Sequence, residues 1–227
     1  MDTTVDQAIM DDAIAHRWIV ANAMAIVIGA VCGFAGTGAD ALFMIESADL
    51  TTAAKMAYWT VQIGLVVIPC AAYAMLTVPV LQSIIPALRS DIWFAAHVAM
   101  AVVLGGGLAL FVGTPDKSES FSWAGESTDT VVFMTIFLAV LGAIVGAVLG
   151  GIQSLVWRRV ARGSLVWIGM TALSGVVVVL ILAAAIPFFP GMSRLGFAVT
   201  LECVGAAGGI VSTFIMVPAL RRLQPRG

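Results

Sequence analysis

The stretch from Val131 to Trp157 carries no charged residue and consists mainly of apolar side chains. A helix of about 20 apolar residues crosses the hydrocarbon layer of a bilayer. Comparable runs occur at residues 18–42, 57–81, 92–112, 165–186 and 195–220. Because every backbone group must be paired inside a bilayer, runs of this length predict membrane-spanning helices. The sequence therefore predicts an all-α polytopic membrane protein with six transmembrane helices.

The composition agrees with this class. Apolar residues make up 61% of the chain and charged residues 11%, against roughly a quarter charged in soluble domains. A transmembrane barrel would instead show segments of about 10 residues with alternating polarity. Cys32, Cys70 and Cys203 lie inside apolar runs, which predicts buried thiols without a disulfide framework. We expect the lipid bilayer as the main partner, and no nucleic acid.

The distribution of basic residues predicts the orientation. Counted over the chain termini and alternate loops, one side holds eight arginines: Arg17, Arg89, Arg158, Arg159, Arg162, Arg221, Arg222 and Arg226. The other side holds Lys55, Lys117 and Arg194. By the positive-inside rule, both termini are expected in the cytoplasm of a bacterial cell, with the protein in the inner membrane. Residues 1–16 are then a cytoplasmic segment, 17–222 the membrane domain and 223–227 a cytoplasmic tail.

The odd-numbered spans share an opening motif. Trp18, Trp93 and Trp167 stand at nearly equal intervals, and a polar residue follows each of them four positions later: Asn22, His97 and Thr171. The even-numbered spans all close on arginine, and the tetrapeptide Pro-Ala-Leu-Arg occurs at both 86–89 and 218–221.

These recurrences predict three tandem helical hairpins at 17–89, 92–159 and 166–222. Since each hairpin would start and end on the same side, the repeats would be parallel, with a pseudo-threefold axis along the membrane normal. A second interpretation also stays open. Tryptophan and arginine are common at helix ends as interfacial anchors, without any repeat.

A resemblance to a family rests on two motifs: Trp18-x3-Asn22 followed by Gly29-x3-Gly33, and Gly146-x3-Gly150-x2-Gln153-x4-Arg158-Arg159. These resemble a group of bacterial multi-pass membrane proteins built from repeated Trp…Gly-rich…Gln…Arg hairpins. The resemblance covers most of the chain and implies an architecture, without an activity. The third hairpin departs from the pattern, with Phe214 where glutamine is expected.

Glu202 is the strongest candidate for a functional polar residue. It follows Arg194 by eight positions within the sixth span, which places it about 12 Å along the helix. A carboxyl group at that depth is costly and often marks a path for ions or protons. The other interpretation is a protonated or snorkelling glutamate bonded to a neighbouring helix, or to Arg194 at the rim.

Polar residues near the cytoplasmic ends form a second candidate site. If the threefold arrangement holds, Asn22, His97 and Thr171 would form a ring near the cytoplasmic mouth, and Gln82 and Gln153 would add a second polar layer. His97 alone is also well explained as a hydrogen-bonded packing residue. Glutamine between membrane helices often serves simply to join them.

Glycines four residues apart share one helix face and allow close approach of another backbone. This spacing predicts helix-packing faces, and it occurs at Gly29 and Gly33, at Gly142, Gly146 and Gly150, and at Gly205 and Gly209. Such faces would contact other helices of the same chain, a second copy, or another membrane protein.

Enzyme signatures are missing from the sequence. It contains no P-loop, no His-Glu-x-x-His and no Gly-x-Ser-x-Gly motif, and its two histidines predict neither a metal site nor a haem cofactor. Two functions are therefore expected: a non-enzymatic structural or assembly module, or a channel or carrier for a small solute or ion. In the second case the path would involve Glu202 and the level of Asn22, His97 and Thr171.

Overall fold

The computed structural model describes residues 3–46, 52–112, 128–185 and 194–225; its side chains are described at fewer positions. Six helices follow one another: α1 (Thr3–Glu46), α2 (Thr52–Ile84), α3 (Ser90–Val112), α4 (Thr128–Trp157), α5 (Ser164–Ala185) and α6 (Arg194–Arg221). Two short strands, β1 (Ala161–Arg162) and β2 (Gln224–Pro225), complete the described chain. The prediction of an all-α fold is confirmed.

Five of the helices, all except α3, are long and apolar enough to cross a membrane. In α3, the part from Ser90 to Val103 is a shorter apolar helix. These lengths and compositions indicate a multi-pass membrane protein. The number of six spans and the three-repeat arrangement stay predictions.

The helix boundaries differ from the predicted spans at two places. α1 begins at Thr3 and passes without interruption into the first apolar run, so the described part of segment 1–16 belongs to the first helix. α2 runs through Pro69 and Pro79 and ends at Ile84. It stops there because Pro86 disfavours helical dihedrals at the residue before it.

The six helices form a closed ring in chain order, in which each helix contacts its two neighbours and α6 returns to α1. Trp18, at the start of the first apolar run of α1, contacts Trp167 near the start of α5, and Trp93 near the start of α3 contacts Trp157 at the end of α4. The apolar runs of these odd helices therefore begin at the end of the bundle where α4 ends. Arginines cluster at this end of the bundle, so we call it the arginine end. Arg221 at the end of α6 donates to the Asp12 carboxylate of α1 at 2.8 Å there.

Burial is concentrated at the arginine end. The largest fully buried side chains of the described residues are Trp18, Trp93, Trp157, Trp167, Leu81, Ile85, Leu220 and Thr77. Away from that end, large apolar side chains such as Phe137, Ile144 and Phe214 remain exposed on the outer faces of the helices. Exposed apolar surface of this extent fits contact with lipid tails.

A small β-clasp ties two chain segments together at the arginine end. β1 pairs antiparallel with β2, with Ala161 opposite Pro225 and Arg162 opposite Gln224. Gly163, next to β1, has φ of +103°, and a Cβ added there would lie 2.7 Å from the Arg222 carbonyl oxygen. Glycine is the residue that adopts this conformation without steric cost. The clasp therefore fixes the turn between α4 and α5 against the chain that leaves α6.

Candidate functional site: an aromatic collar and a carboxyl group

Six aromatic rings form a closed circuit at the arginine end, which we call the aromatic collar. Around it, centroid separations are 5.8 Å from Trp18 to Trp167, 4.7 Å from Trp167 to Trp157, 5.2 Å from Trp157 to Trp93, 4.2 Å from Trp93 to His97, 5.3 Å from His97 to Tyr73, and 6.4 Å from Tyr73 back to Trp18. Five of the six helices contribute, and α6 packs Ala219 and Leu220 into the same buried cluster. The collar fills the ring of helices at this level.

The collar tryptophans are core residues. Trp18 is 1% exposed, and Trp93, Trp157 and Trp167 are 0% exposed, whereas interfacial anchors lie at the headgroup level with their rings against lipid. Their edge-to-face and stacked arrangements are ones that aromatic pairs prefer. Interfacial anchoring, the second interpretation of these tryptophans, is therefore not what the structure shows for them.

The polar residues four positions after the odd-helix tryptophans make equivalent bonds. Asn22 Nδ2 donates to the Trp18 carbonyl, His97 Nδ1 to the Trp93 carbonyl and Thr171 Oγ1 to the Trp167 carbonyl, each at 2.8 Å. Asn22 and His97 are buried, and Thr171 is half-buried. All three therefore lie one helical turn beyond the tryptophan that precedes them, and His97 is at the same time a member of the collar. Among the described residues no hydrogen bond joins one of the three to another.

A buried hydrogen-bond chain connects α3, α4 and α5. A carbonyl oxygen accepts only, so the bond to Trp93 fixes the proton of His97 on Nδ1. In the neutral ring His97 Nε2 then accepts from Gln153 Nε2 at 3.0 Å, and Gln153 Oε1 accepts from Trp167 Nε1 at 2.7 Å. In this series of hydrogen bonds every donor therefore faces an acceptor. The arrangement favours a neutral His97 because a proton on Nε2 would face the Gln153 amide hydrogens.

Gln82 does not take part in this series of hydrogen bonds. Its side-chain amide donates to the Leu88 carbonyl at 3.0 Å and so closes the turn between α2 and α3. Gln153 instead bridges His97 and Trp167, so no hydrogen bond of the described residues joins the two glutamines, and the second polar layer stays a prediction.

The α4 glycines lie directly on the α5 backbone. A Cβ added at Gly142 would lie 2.6 Å from the Gly175 carbonyl oxygen, and one at Gly146 would overlap the Thr171 carbonyl oxygen. At Gly150 the added Cβ would lie 2.9 Å from Thr171 Oγ1. These three positions therefore bring the α4 and α5 backbones together within this chain.

The glycines of α1 and α6 are less uniform. A Cβ at Gly29 would touch the Pro69 side chain of α2 at 3.8 Å, and one at Gly209 would lie 2.9 Å from Ile26 of α1. A Cβ at Gly205 would have no atom within 4 Å. Within this chain α6 therefore meets α5 through Gly208 and α1 through Gly209, and a packing contact at Gly205 stays a prediction.

Glu202 of α6 lies against Gly33 of α1. A Cβ added at Gly33 would overlap the Glu202 carboxyl group, so the missing side chain of Gly33 provides the space that the carboxyl occupies. Among the described residues, Glu202 has neither a hydrogen-bond nor an ion-pair partner. The side chain of Arg194, its predicted alternative partner, lies outside the described residues.

The contacts of α6 show where Gly205 points. Glu202 and Gly209 face α1, and Gly208 faces Val178 of α5. At about 100° per residue, Gly205 lies between these two faces, about 60° from Glu202 and about 60° from Gly208. In a closed ring, the direction between two neighbours is the bundle interior. Since Gly205 is exposed, the described side chains do not fill the interior at this level.

The arginine end also presents a basic surface. Seven arginines there are exposed: Arg17, Arg89, Arg158, Arg159, Arg162, Arg221 and Arg222. Arg89 pairs with Asp91, and this hydrogen bond raises the pKa of the Arg89 guanidinium. Within the described residues no group of histidine, cysteine, aspartate and glutamate could hold a metal ion.

No family model, curated protein or solved structure matches the chain. The resemblance to hairpin-repeat membrane proteins therefore stays a prediction.

Sequence reasoning missed Tyr73 and Thr77 of α2. Thr77 Oγ1 donates to the Tyr73 carbonyl at 2.7 Å and accepts from Trp93 Nε1 at 3.3 Å, while the Tyr73 ring closes the collar. The spacing of an aromatic residue and a polar residue four positions apart is the same as at Trp18 and Asn22. That spacing was the signal that would have identified them.

Proposed function

We propose that this protein is a non-enzymatic membrane module, a structural or assembly subunit of the bacterial inner membrane that presents a rigid basic surface to a partner. The observation that carries the proposal is the construction of the arginine end. There the aromatic collar, the His97–Gln153–Trp167 chain and the β-clasp immobilise the helix ends that hold the exposed arginines.

We further propose six spans with both termini in the cytoplasm. The positive-inside rule supports this orientation, because the described arginines near both termini and in the second and fourth connections share one end. The three-hairpin repeat is also a proposal. It is supported by the equivalent bonds of Asn22, His97 and Thr171 to the tryptophan carbonyls.

The contacts already made by the glycine faces limit the surfaces through which a partner can bind. Gly142, Gly146 and Gly150 are occupied by α5, and Gly33 and Gly209 by α6 and α1 respectively. A second copy or another membrane protein would therefore bind through the arginine end or the apolar outer faces instead of through these glycines.

The module proposal is tested by extracting the protein from cells in native lipid nanodiscs and measuring the mass of the particles. The wild type is expected in a larger assembly of defined stoichiometry. Replacing Arg158 and Arg159 with glutamate should release the single chain, and replacing both with lysine should retain the assembly. A single chain for the wild type and for both variants would contradict the proposal.

A channel or carrier is the second candidate. It is favoured by one observation, the exposed Gly205 facing the interior next to the Glu202 carboxyl. The aromatic collar fills the ring at the arginine end, so conduction would require the collar to rearrange. In proteoliposomes, a solute or ion flux that is abolished by Glu202→Gln would support this candidate over the module.

A further inference from the structure

We propose that Glu202 is a proton-binding site, at which the carboxyl group between α1 and α6 exchanges its proton with water in the bundle interior. This proposal does not depend on the module function, since it concerns the half of the bundle away from the arginine end.

The first argument is the position of the carboxyl group. It occupies the notch that Gly33 leaves in α1, and Glu202 is half-buried. On α6, Glu202 lies about 60° from the interior direction marked by Gly205 and about 120° from Phe214 on the exposed outer face. Exposed Val199 lies about 60° from Glu202 on the other side, so the carboxyl group stands at the border between the interior direction and the outer face.

The second argument is the lack of a partner. An ionised carboxylate in the hydrocarbon region is costly unless it is paired or hydrated, and Glu202 has no partner among the described residues. A neutral carboxyl avoids that cost, provided that a proton can reach it. Interior water would supply the proton and also accept the hydrogen bond of the protonated group.

A proton fits this site better than a metal cation. Calcium takes six to eight oxygen ligands and magnesium needs near-octahedral geometry, while among the described residues Glu202 belongs to no group of three or more histidine, cysteine, aspartate and glutamate side chains that could hold a metal ion.

Asp12, His16 and Arg17 of α1 lie toward the arginine end, so the described side chains around Glu202 add no second carboxyl group or basic group at its level. Cys32 beside Gly33 and Cys203 beside Glu202 are free thiols. The whole of α5 carries no titratable side chain. Glu202 is thus the carboxyl group at this level whose protonation the labelling experiment follows.

The test is labelling with dicyclohexylcarbodiimide, which modifies protonated carboxyl groups in apolar surroundings, in membranes that contain the full chain. Modified positions are mapped by mass spectrometry from about pH 5 to about pH 9, a range above the reference value for glutamate. Label is expected at Glu202, falling about tenfold for each pH unit above the midpoint.

Two variants complete the test. Glu202→Gln must remove this label. Gly33→Ala should displace the carboxyl and change the labelling rate or its midpoint, whereas Gly151→Ala, where the added Cβ meets no atom within 4 Å, should leave both unchanged.

Three results would overturn the proposal: no label at Glu202 at any pH, a labelling rate that does not change with pH, or protection by sodium at constant pH. The last result would assign the site to a metal cation.

Discussion

The two halves of the bundle are built in different ways. At the arginine end, six aromatic rings and a hydrogen-bond chain fill the space enclosed by the helices. At the level of Glu202, α6 holds a carboxyl group against a glycine, and Gly205 faces an interior without a neighbouring atom within 4 Å. The difference indicates that one half holds the bundle together and leaves the other half free to carry a polar group.

The importance of the collar for holding the helices together has a physical origin in the lipid environment. Inside a bilayer, helices gain little from burying apolar surface against one another, so association depends on packing and on interhelical hydrogen bonds. The collar supplies both of these at one end. On α4 and α5, the contacts of Gly142 and Gly146 extend close packing away from the collar.

The largest expected effect comes from removing a collar ring. Trp157→Ala should lower the free energy of unfolding by about 3–5 kcal/mol, because it leaves a cavity among fully packed rings. Trp59→Ala is the matched control, since Trp59 is half-buried on α2 near its other end. Thermal unfolding in detergent micelles measures both variants. Equal losses for the two would show that the collar is no more important for stability than the opposite half.

An intermediate effect is expected at the contact of α4 and α5. Gly146→Ala places a methyl group on the Thr171 carbonyl, and overpacking of this kind costs about 1–3 kcal/mol. Gly151→Ala on the same helix meets no atom within 4 Å and should be neutral or slightly stabilising, since alanine favours helix more than glycine. The same unfolding assay compares them. A destabilised Gly151→Ala would mean that glycine flexibility, and not contact, is what α4 requires.

A similar or smaller loss of unfolding free energy is expected from breaking the hydrogen bonds that join His97, Gln153 and Trp167. Gln153→Leu leaves Trp167 Nε1 and His97 Nε2 without their partners, which costs about 1–3 kcal/mol when the groups stay buried. Gln82→Leu is the control, because Gln82 bonds to a turn carbonyl at the partly buried edge. If Gln82→Leu is the more damaging change, the hydrogen-bond chain does not contribute as described.

The sequence predicted the membrane class and the helices because long uncharged runs have few other solutions. It could not predict the collar. Trp18, Trp93 and Trp167 at span starts are equally compatible with lipid anchoring, and only the closure of the ring decides that they face one another. Similarly, the spacing of Gly205 and Gly209 predicts that both glycines lie on one packing face of α6. Which of them meets a neighbour depends on the angle of α6 between α1 and α5, which residue spacing does not encode.

The central claim, a sealed arginine end and a water-accessible interior at Glu202, is tested most directly by thiol accessibility. In membranes, a charged methanethiosulfonate reagent supplied to both sides would be applied to three single-cysteine proteins: native Cys203 alone, Gly205→Cys and Ala219→Cys. Cys203 and Gly205 are both exposed, while Ala219 is 0% exposed. On α6, however, Cys203 lies on the outer, lipid-facing side.

Because a charged reagent reacts only where water reaches the thiol, Gly205→Cys should react, and Cys203 and Ala219→Cys should not. A Gly205→Cys protein that reacts no faster than Cys203, or an Ala219→Cys protein that reacts equally fast, would contradict the account.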